Sequence, residues 1–473
     1  MIKQLCRAGK AEVAVLYRSV LLRIFFIALL AFQPLLPVSA QAQGRRIPLI
    51  RDAEIEALVA DYARPVLKAA KLRTNIEVIL VNDRSFNAFV DGQRIFVNIG
   101  ALMQAETPNE IIGVIAHEVG HLAGGHQQRM REQLKKAQTL SVIGMLVGIG
   151  AAATGAASGN GDAGAAGSGI VAGSSELAMR SLLHYQRSEE TAADRSAIVY
   201  LDRTGQSAKG MLTTFERFSN ALSFSGTRVD PYRVSHPLPR DRIATLEALA
   251  KKSPHFNKKD PAGLQRRHDM VRAKIVANYG NLGGLRRMFA ADPRGLPARY
   301  GEAILAAESG SPQIALGKVR ALVSEQPQNP YFQELLGDTL IRANDPTAAA
   351  AAYKKAAAFD KRNSSILRIS YGRALLLSGG RNNAAQAVNE IKSGLRHEPE
   401  FAAGYRILAM AYGQLGKTGP ADLAMADMHY YSGAYGQARV FAVRAQKNLA
   451  RNSADWLRAQ DILNVTEKGG RRR

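Results

Sequence analysis

The chain has 473 residues, 46% apolar and 22% charged, a balance that can bury cores and excludes a disordered protein. That length exceeds one ordinary core, so two or more domains are expected. A formal net charge of +23 points to an anionic partner such as nucleic acid or a membrane surface.

The first element in chain order narrows that choice. Arg18 and Arg23 precede IFFIALLAFQPLLP, and the run ends at Val38-Ser39-Ala40 ahead of the polar QAQGRR. A basic stretch, a short apolar run and a small-x-small site read as a secretory signal peptide over residues 1–40. The apolar run is shorter than the roughly 20 residues of a spanning helix, which ranks this reading above a retained membrane anchor. Cys6 lies before the run, so cleavage after Ala40 leaves no cysteine and no disulfide. Export argues against nucleic acid as partner. It leaves an anionic membrane surface, an acidic client, or simply a solvated basic surface.

Residues 52–72 have helical periodicity. IEVILV (76–81) and RIFVNI (94–99) are β-branched runs flanking an Asp91-Gly92 turn, and a hairpin or meander is expected from them. The stretch TPNEIIGVIAHEVGHLAGGHQQR (107–129) follows as a helix, with Thr107 as cap, Pro108 in the first turn and Glu110 completing a capping box. From Ala137 to Ser175 the only charge is Asp162, and Gly, Ala and Ser dominate. That segment reads as a membrane-inserting hairpin, a mobile lid or two buried helices of small residues. Its glycines weaken helix propensity, which favours a flexible lid. A second helix runs through SSELAMRSLLHYQRSEETAADRSAIVYLDRTG and stops at Gly205.

After about residue 270 the texture becomes Ala-rich and amphipathic. Gly337, Gly372 and Ala409 recur at roughly the 34-residue period of a tetratricopeptide repeat. Ala349, Tyr353 and Ala356 follow Gly337 at that repeat's offsets, while Tyr412 and Gly416 follow Ala409. A stacked α-solenoid with a concave face is expected over 296–463, preceded by a helical linker (271–295) and followed by a basic tail (464–473).

The chemistry lies in HEVGH. His117 and His121 are four apart on one helix face, so both imidazoles can hold one metal, and Glu118 beside them can serve as general base. Gly120 lets another element approach closely. A catalytic zinc takes three protein ligands and keeps one open position. In the pattern HExxHxxGxxH the third histidine position holds Gln127 here, and His126 is one residue off, about 100° around the helix; it reads as a structural or supporting histidine. A later carboxylate is the other option. Glu190 shares a helix face with Asp194, which could accept the second ring proton of a ligating histidine; Glu189 is the rival.

HEVGH with a downstream ETAAD resembles the zinc metalloproteases related to the CAAX prenyl protease. The leader and the repeats are most similar to their soluble periplasmic branch, the beta-barrel assembly-enhancing protease type. The resemblance implies one zinc per chain on His117, His121 and Glu190, with Glu118 as base. NAFVDGQRIFVNIGAL (87–102) resembles the family's edge-strand segment, implying that a substrate backbone pairs near Phe96, Val97 and Asn98. SHPLPRDRI resembles the family's HP motif. It implies that His236 lies near the zinc as a reversible fourth ligand or switch, and that Arg242 stabilises an oxyanion.

The expected architecture is mainly α: a zincin-like α+β metalloprotease domain (41–270) with a small sheet and the 137–175 lid, then the repeats. The expected activity is that of a periplasmic zinc endopeptidase. By resemblance its clients are unfolded or misassembled outer-membrane β-barrel proteins and its partners their assembly machinery, with a chaperone-like role beside proteolysis. Two alternatives stand: a repeat-based chaperone or scaffold with little proteolysis, and a membrane-anchored peptidase that retains residues 24–36.

Overall fold

Residues 48–72, 76–158, 161–221, 236 and 240–470 are described by a computed structural model. The expected signal segment lies outside them. Asp52 starts helix α1 (Ala53–Ala69), its carboxylate accepting from the Glu54 and Ile55 amides at 3.0 and 2.9 Å. Ile55, Leu58, Val59, Tyr62 and Val66, spaced by three and four, are the buried stripe that packs α1 into the first core.

Four strands, β1 (Leu49–Ile50), β2 (Glu77–Val81), β3 (Ala88–Asp91) and β4 (Arg94–Asn98), form a sheet in the order β1-β2-β4-β3. The two β-branched runs are therefore parallel neighbours, Val78 opposite Ile95 and Leu80 opposite Val97, and not the two arms of a hairpin. The arm that pairs with β4 across the Asp91-Gly92 turn is β3, with Gly92 at φ +63°.

This order corrects the expected substrate strand. Phe96, Val97 and Asn98 lie on a strand already paired on both sides, and they have no open edge to offer. The outer edge next to them belongs to β3. Asn98 N–H donates to Asn87 O at 2.9 Å, so alternation along the antiparallel ladder turns the backbone groups of Ala88 and Val90 away from β4.

Helix α2 (Ile99–Gln104) leads to α3 (Pro108–Gly124), which carries HEVGH. The Glu110 carboxylate accepts from the Thr107 amide at 3.2 Å, one half of the expected capping box, and from Arg217 at 2.6 Å. Gly125, in the left-handed region at φ +66°, ends α3 and turns the chain into α4 (His126–Ser158). Helix α5 (Gly161–Arg203) packs along α4, and Gly205 at φ +64° follows its end. Residues expected as a loose lid, 137–175, are thus helical on both sides of 159–160. Propensity gives way to packing here: a side chain at Gly144 would collide with Ser174 on the facing helix.

Helix α3 is sandwiched through its own glycines. A Cβ on Gly120 would sit 2.7 Å from the Ala193 carbonyl oxygen and 3.0 Å from its Cα on α5. One on Gly113 would sit 2.7 Å from Met211 Cβ on α6 (Lys209–Ala221). Helices α7 (Arg240–Ala250), α8 (Ala262–Asn278) and α9 (Leu282–Met288) complete this part.

A long α-helical solenoid follows, in pairs: α10 (Leu296–Ser309) with α11 (Pro312–Glu325), α12 (Pro330–Arg342) with α13 (Pro346–Phe359), and α14 (Ser365–Leu377) with α15 (Arg381–His397). Then come α16 (Ala402–Gln414) with α17 (Thr418–Tyr431), and α18 (Tyr435–Asn448) with α19 (Ala454–Gly470). The repeating small positions are where the two helices of a pair meet: a Cβ on Gly337 would touch the Tyr353 ring at 2.7 Å, and one on Gly372 would lie 2.5 Å from Ile391 Cγ1. The tail expected from residue 464 is instead the end of α19 as far as Gly470.

The change of texture near residue 270 falls inside α8, which is shared. Buried Lys274 meets Asp52 at 2.7 Å, Glu54 at 3.3 Å and Glu334 on α12 at 3.8 Å, and Tyr300 donates to Glu54 at 2.7 Å. Arg362 and Arg267 both pair with Asp61 of α1, and Arg51 pairs with Glu398. The opening of α1 is therefore held by residues of three successive repeat pairs.

Two outcomes follow from this packing. His268 on α8 is buried between Tyr62 and Ala105: its Nε2–H donates to the Ala105 carbonyl at 3.0 Å, which leaves Nδ1 to accept from the Tyr62 hydroxyl at 3.0 Å. Burial pulls its pKa down to about 4, against an ordinary 6.5. The unfolded chain then binds the extra proton first, so stability is full above pH 6.5 and falls as pH drops toward 4. Unfolding free energies from denaturant titrations at pH 8 and pH 5 should differ by about 2 kcal/mol from this residue, a difference that His268→Gln removes. Gly120→Ala, by contrast, should cost about 1–3 kcal/mol at neutral pH in the same measurement, because Ala193 presents backbone that cannot rotate away.

Candidate metal centre

Helix spacing places His117 and His121 on the face of α3 that meets α5, and α5 answers with Glu190 and Asp194, also four apart. The glycine crossing at Gly120 brings the two pairs within contact. His121 Nε2 lies 3.0 Å from His117 Nε2, and Glu190 Oε1 and Oε2 lie 3.4 Å from His121 Nε2 and His117 Nε2. His236 completes the cluster: its Nδ1 is 3.3 Å from His117 Nε2 and 3.0 Å from Glu190 Oε1. One donor atom from each of these four residues falls within 4.8 Å of the others.

The donors fit a metal ion. Zinc bound to imidazole at about 2.0–2.1 Å in a tetrahedron sets its ligand atoms about 3.3 Å apart. The observed separations of 3.0 to 3.4 Å bracket that edge, and three imidazole nitrogens turned toward one point call for a cation between them. Three nitrogens and a carboxylate oxygen are also the donor types zinc takes.

Glu118 stands beside the cluster, 1% exposed, with Oε1 3.4 Å from His236 Nε2 and without a hydrogen-bond partner on that oxygen among the described residues. Burial raises its pKa, opposed by the neighbouring histidines. His117 is raised too, for the opposite reason: burial pulls it down, but hydrogen bonds with Asp194 and Glu190 outweigh burial and push it up to about 9. Burial would raise Glu190, and its bonds with His117 and His236 instead hold it well below the ordinary carboxylate range. For His121, burial and the adjacent His117 charge act together and lower it far below the ordinary imidazole range.

Asp194 Oδ1 is 2.9 Å from His117 Nδ1, the geometry that fixes the tautomer presenting Nε2 to the cluster. Asp194 is held in turn by Arg242, whose Nε and Nη2 donate to its two oxygens at 2.5 and 2.8 Å. The third guanidinium nitrogen donates to Glu190 Oε2 at 2.9 Å, and the group lies 5.2 Å over the Phe215 ring. These contacts place Arg242, expected at the oxyanion, against the carboxylates. All three of its nitrogens point at the carboxylates behind the cluster, because two buried acids four residues apart need a compensating cation there.

His126 Nδ1 lies 2.9 Å from His121 Nδ1, and its Nε2 lies 2.9 Å from Glu189 Oε2. Arg129 donates to the same Glu189 oxygen at 2.7 Å. Glu189 is thus the outer end of a chain running through His126 to His121, a position the sequence signals only by its being next to Glu190. Gln127 turns away entirely. Its amide donates to Val90 O at 3.2 Å and its carbonyl accepts from Gly92 N–H at 3.0 Å, which pins the β3–β4 turn to α4.

The chain is 24% identical over 403 residues to the beta-barrel assembly-enhancing protease of Escherichia coli K12, covering 83% of this chain and 78% of that one. It is 27% identical over 307 residues to a Vibrio cholerae protein provisionally named a beta-barrel assembly-enhancing protease, covering 62% of this chain and 60% of the relative, less than two thirds of its length. Among solved structures, the tetratricopeptide protein YrrB covers 42% of this chain and 97% of its own, at 15% identity and a TM-score of 0.30. Residues 49–250, which hold every side chain of the cluster, match the family model of peptidase family M48.

Proposed function

We propose that the chain is a zinc endopeptidase of the periplasm that degrades misfolded or stalled outer-membrane β-barrel proteins, with a chaperone-like role in their assembly. The observation that carries this reading is the convergence of His117 Nε2, His121 Nε2 and a Glu190 oxygen at the spacing of a metal's coordination edges, with Glu118 beside them. The M48 match over the same residues and the names of the relatives support the substrate class.

His117, His121 and Glu190 would hold the zinc, which when bound would supply Lewis acidity toward a scissile carbonyl and lower the pKa of water. The protein's own residues do the rest. Glu118, buried and lacking a hydrogen-bond partner on Oε1, takes the proton of the attacking water and passes it to the departing amine nitrogen. Asp194 and Arg242 act as positioning residues, the first orienting His117 and the second keeping both carboxylates ionised and in place. An extended substrate adds along the outer edge of β3 at Ala88, beside the helix that carries the histidines, since the Gln127 amide already occupies Val90 O.

His236 Nδ1 stands where a fourth donor would, and its Nε2 faces Glu118. With His236 in that position the resting protein is latent, and a substrate must displace it.

Metal content and cleavage of casein or an unfolded β-barrel protein test the reading. Wild type should bind about one zinc. Glu118→Gln should keep the metal and lose about 10²–10⁴-fold in cleavage. Glu190→Ala should lose both, and His236→Ala should cleave faster than wild type. Cleavage by Glu118→Gln, or none by any metal-loaded form including His236→Ala, would leave the repeat-based chaperone as the better account. Unchanged or lost activity in His236→Ala would remove the latency.

A further inference from the structure

The hairpin of α4 and α5 is built inside out for water. Its seam is made of small residues: Gly144 and Gly148 are buried, Gly144 against Ser174 of the neighbouring helix, and Ala178 on that helix is buried too. The large apolar side chains point outward instead. Ile143, Leu146, Val147 and Ile149 on α4 and Leu177 and Met179 on α5 are all at least half exposed, Leu146 at 64% and Leu177 at 70%. Helices that meet in water put their large apolar residues in the contact, whereas helices that meet in lipid pack through small residues and turn the large ones out.

Charge is distributed to match. Between Ala137 and Ser175 the only ionisable residue is Asp162. Toward the metal cluster, Arg131, Lys135 and Lys136 on α4 and Arg187 on α5 are exposed against Glu132, while Glu176 and Arg180 pair with each other beside Leu177 and Met179. A basic collar under an apolar tip is the arrangement that an anionic bilayer attracts. No helix among the described residues is long and apolar enough to cross a membrane.

We propose that the exposed apolar tip of this hairpin beds into an anionic lipid bilayer, with Lys135 and Lys136 at the headgroups. Helix α5 is continuous from these side chains to the cluster, and Leu177 lies about 20 Å along it from Glu190. Taken with the endopeptidase reading, on which this last step alone rests, the substrate class becomes polypeptide held at the membrane surface.

Vesicle binding tests the tip without any proteolysis. The full chain with Glu118→Gln is mixed with vesicles of phosphatidylethanolamine and phosphatidylglycerol, or of phosphatidylcholine alone. It should bind the anionic vesicles more tightly. Leu146→Ser, Ile149→Ser and Leu177→Ser together should weaken that binding at least about tenfold, since each removes apolar surface from the lipid. Their thermal midpoint should not change, because these side chains are exposed. Lys135→Glu with Lys136→Glu should weaken binding to anionic vesicles and leave phosphatidylcholine binding as it was. All these variants share the same first 48 residues, so the apolar run there cannot produce the differences.

Depth is read directly by Leu146→Trp in a Trp456→Phe background: vesicles should shift its emission to the blue, and brominated acyl chains should quench it. Equal vesicle binding by the tip variant, or an emission that vesicles leave unchanged, would overturn the proposal. So would tip substitutions that abolish self-association in sedimentation while leaving vesicle binding unmoved, which would make the face a contact between copies of this chain. Proteolysis does not enter these readouts, so a failed endopeptidase reading leaves them interpretable.

Discussion

The site depends on one close approach, the crossing of α3 and α5 at Gly120 and Ala193. Donor atoms on two helices can converge within 3.4 Å only if the backbones meet without intervening side chains, and Gly120 removes the one that would stand between them. Once the helices touch there, helical spacing does the remaining work, with His117 and His121 on one side and Glu190 and Asp194 on the other. The crossing also forces two carboxylates into a dry place. Arg242 answers that cost with one bidentate and one single contact, and the Phe215 face lies beneath its guanidinium.

Local periodicity explains what could be read from the sequence. HEVGH and ETAAD each state a helix face in five letters, and the repeats state theirs by small residues such as Gly337 and Gly372, which sit where a partner helix passes. The parallel pairing of β2 with β4 is non-local, and the four-residue β3 is too short to show alternation, so the sheet order and its open edge stayed hidden. Arg242 was legible as a motif residue but not in its target, which depends on where the chain returns after a segment with no regular pattern.

The hairpin is the instructive failure. Counting glycines predicts a loop, because each one weakens an isolated helix. In α4, Gly144 is the point at which α5 lies against it, a role visible only with the partner in place. The same composition that lowers helix propensity thus raises helix-pair complementarity, and the apolar residues between the glycines are the ones left facing outward.

Lys274 gives the two textures of the chain a shared fate. It is buried among Asp52, Glu54 and Glu334, where Glu334 is pushed up to about 8 by burial against the pull of the lysine, and Tyr300 satisfies Glu54 from the solenoid side. Cut away the repeats, and the start of α1 loses the hydroxyl and the repeat surface that shield these ions, with an uncompensated group in a buried network worth several kcal/mol. The first core and the repeat pairs that touch it therefore share their stability, and the boundary of composition near residue 270 does not separate them.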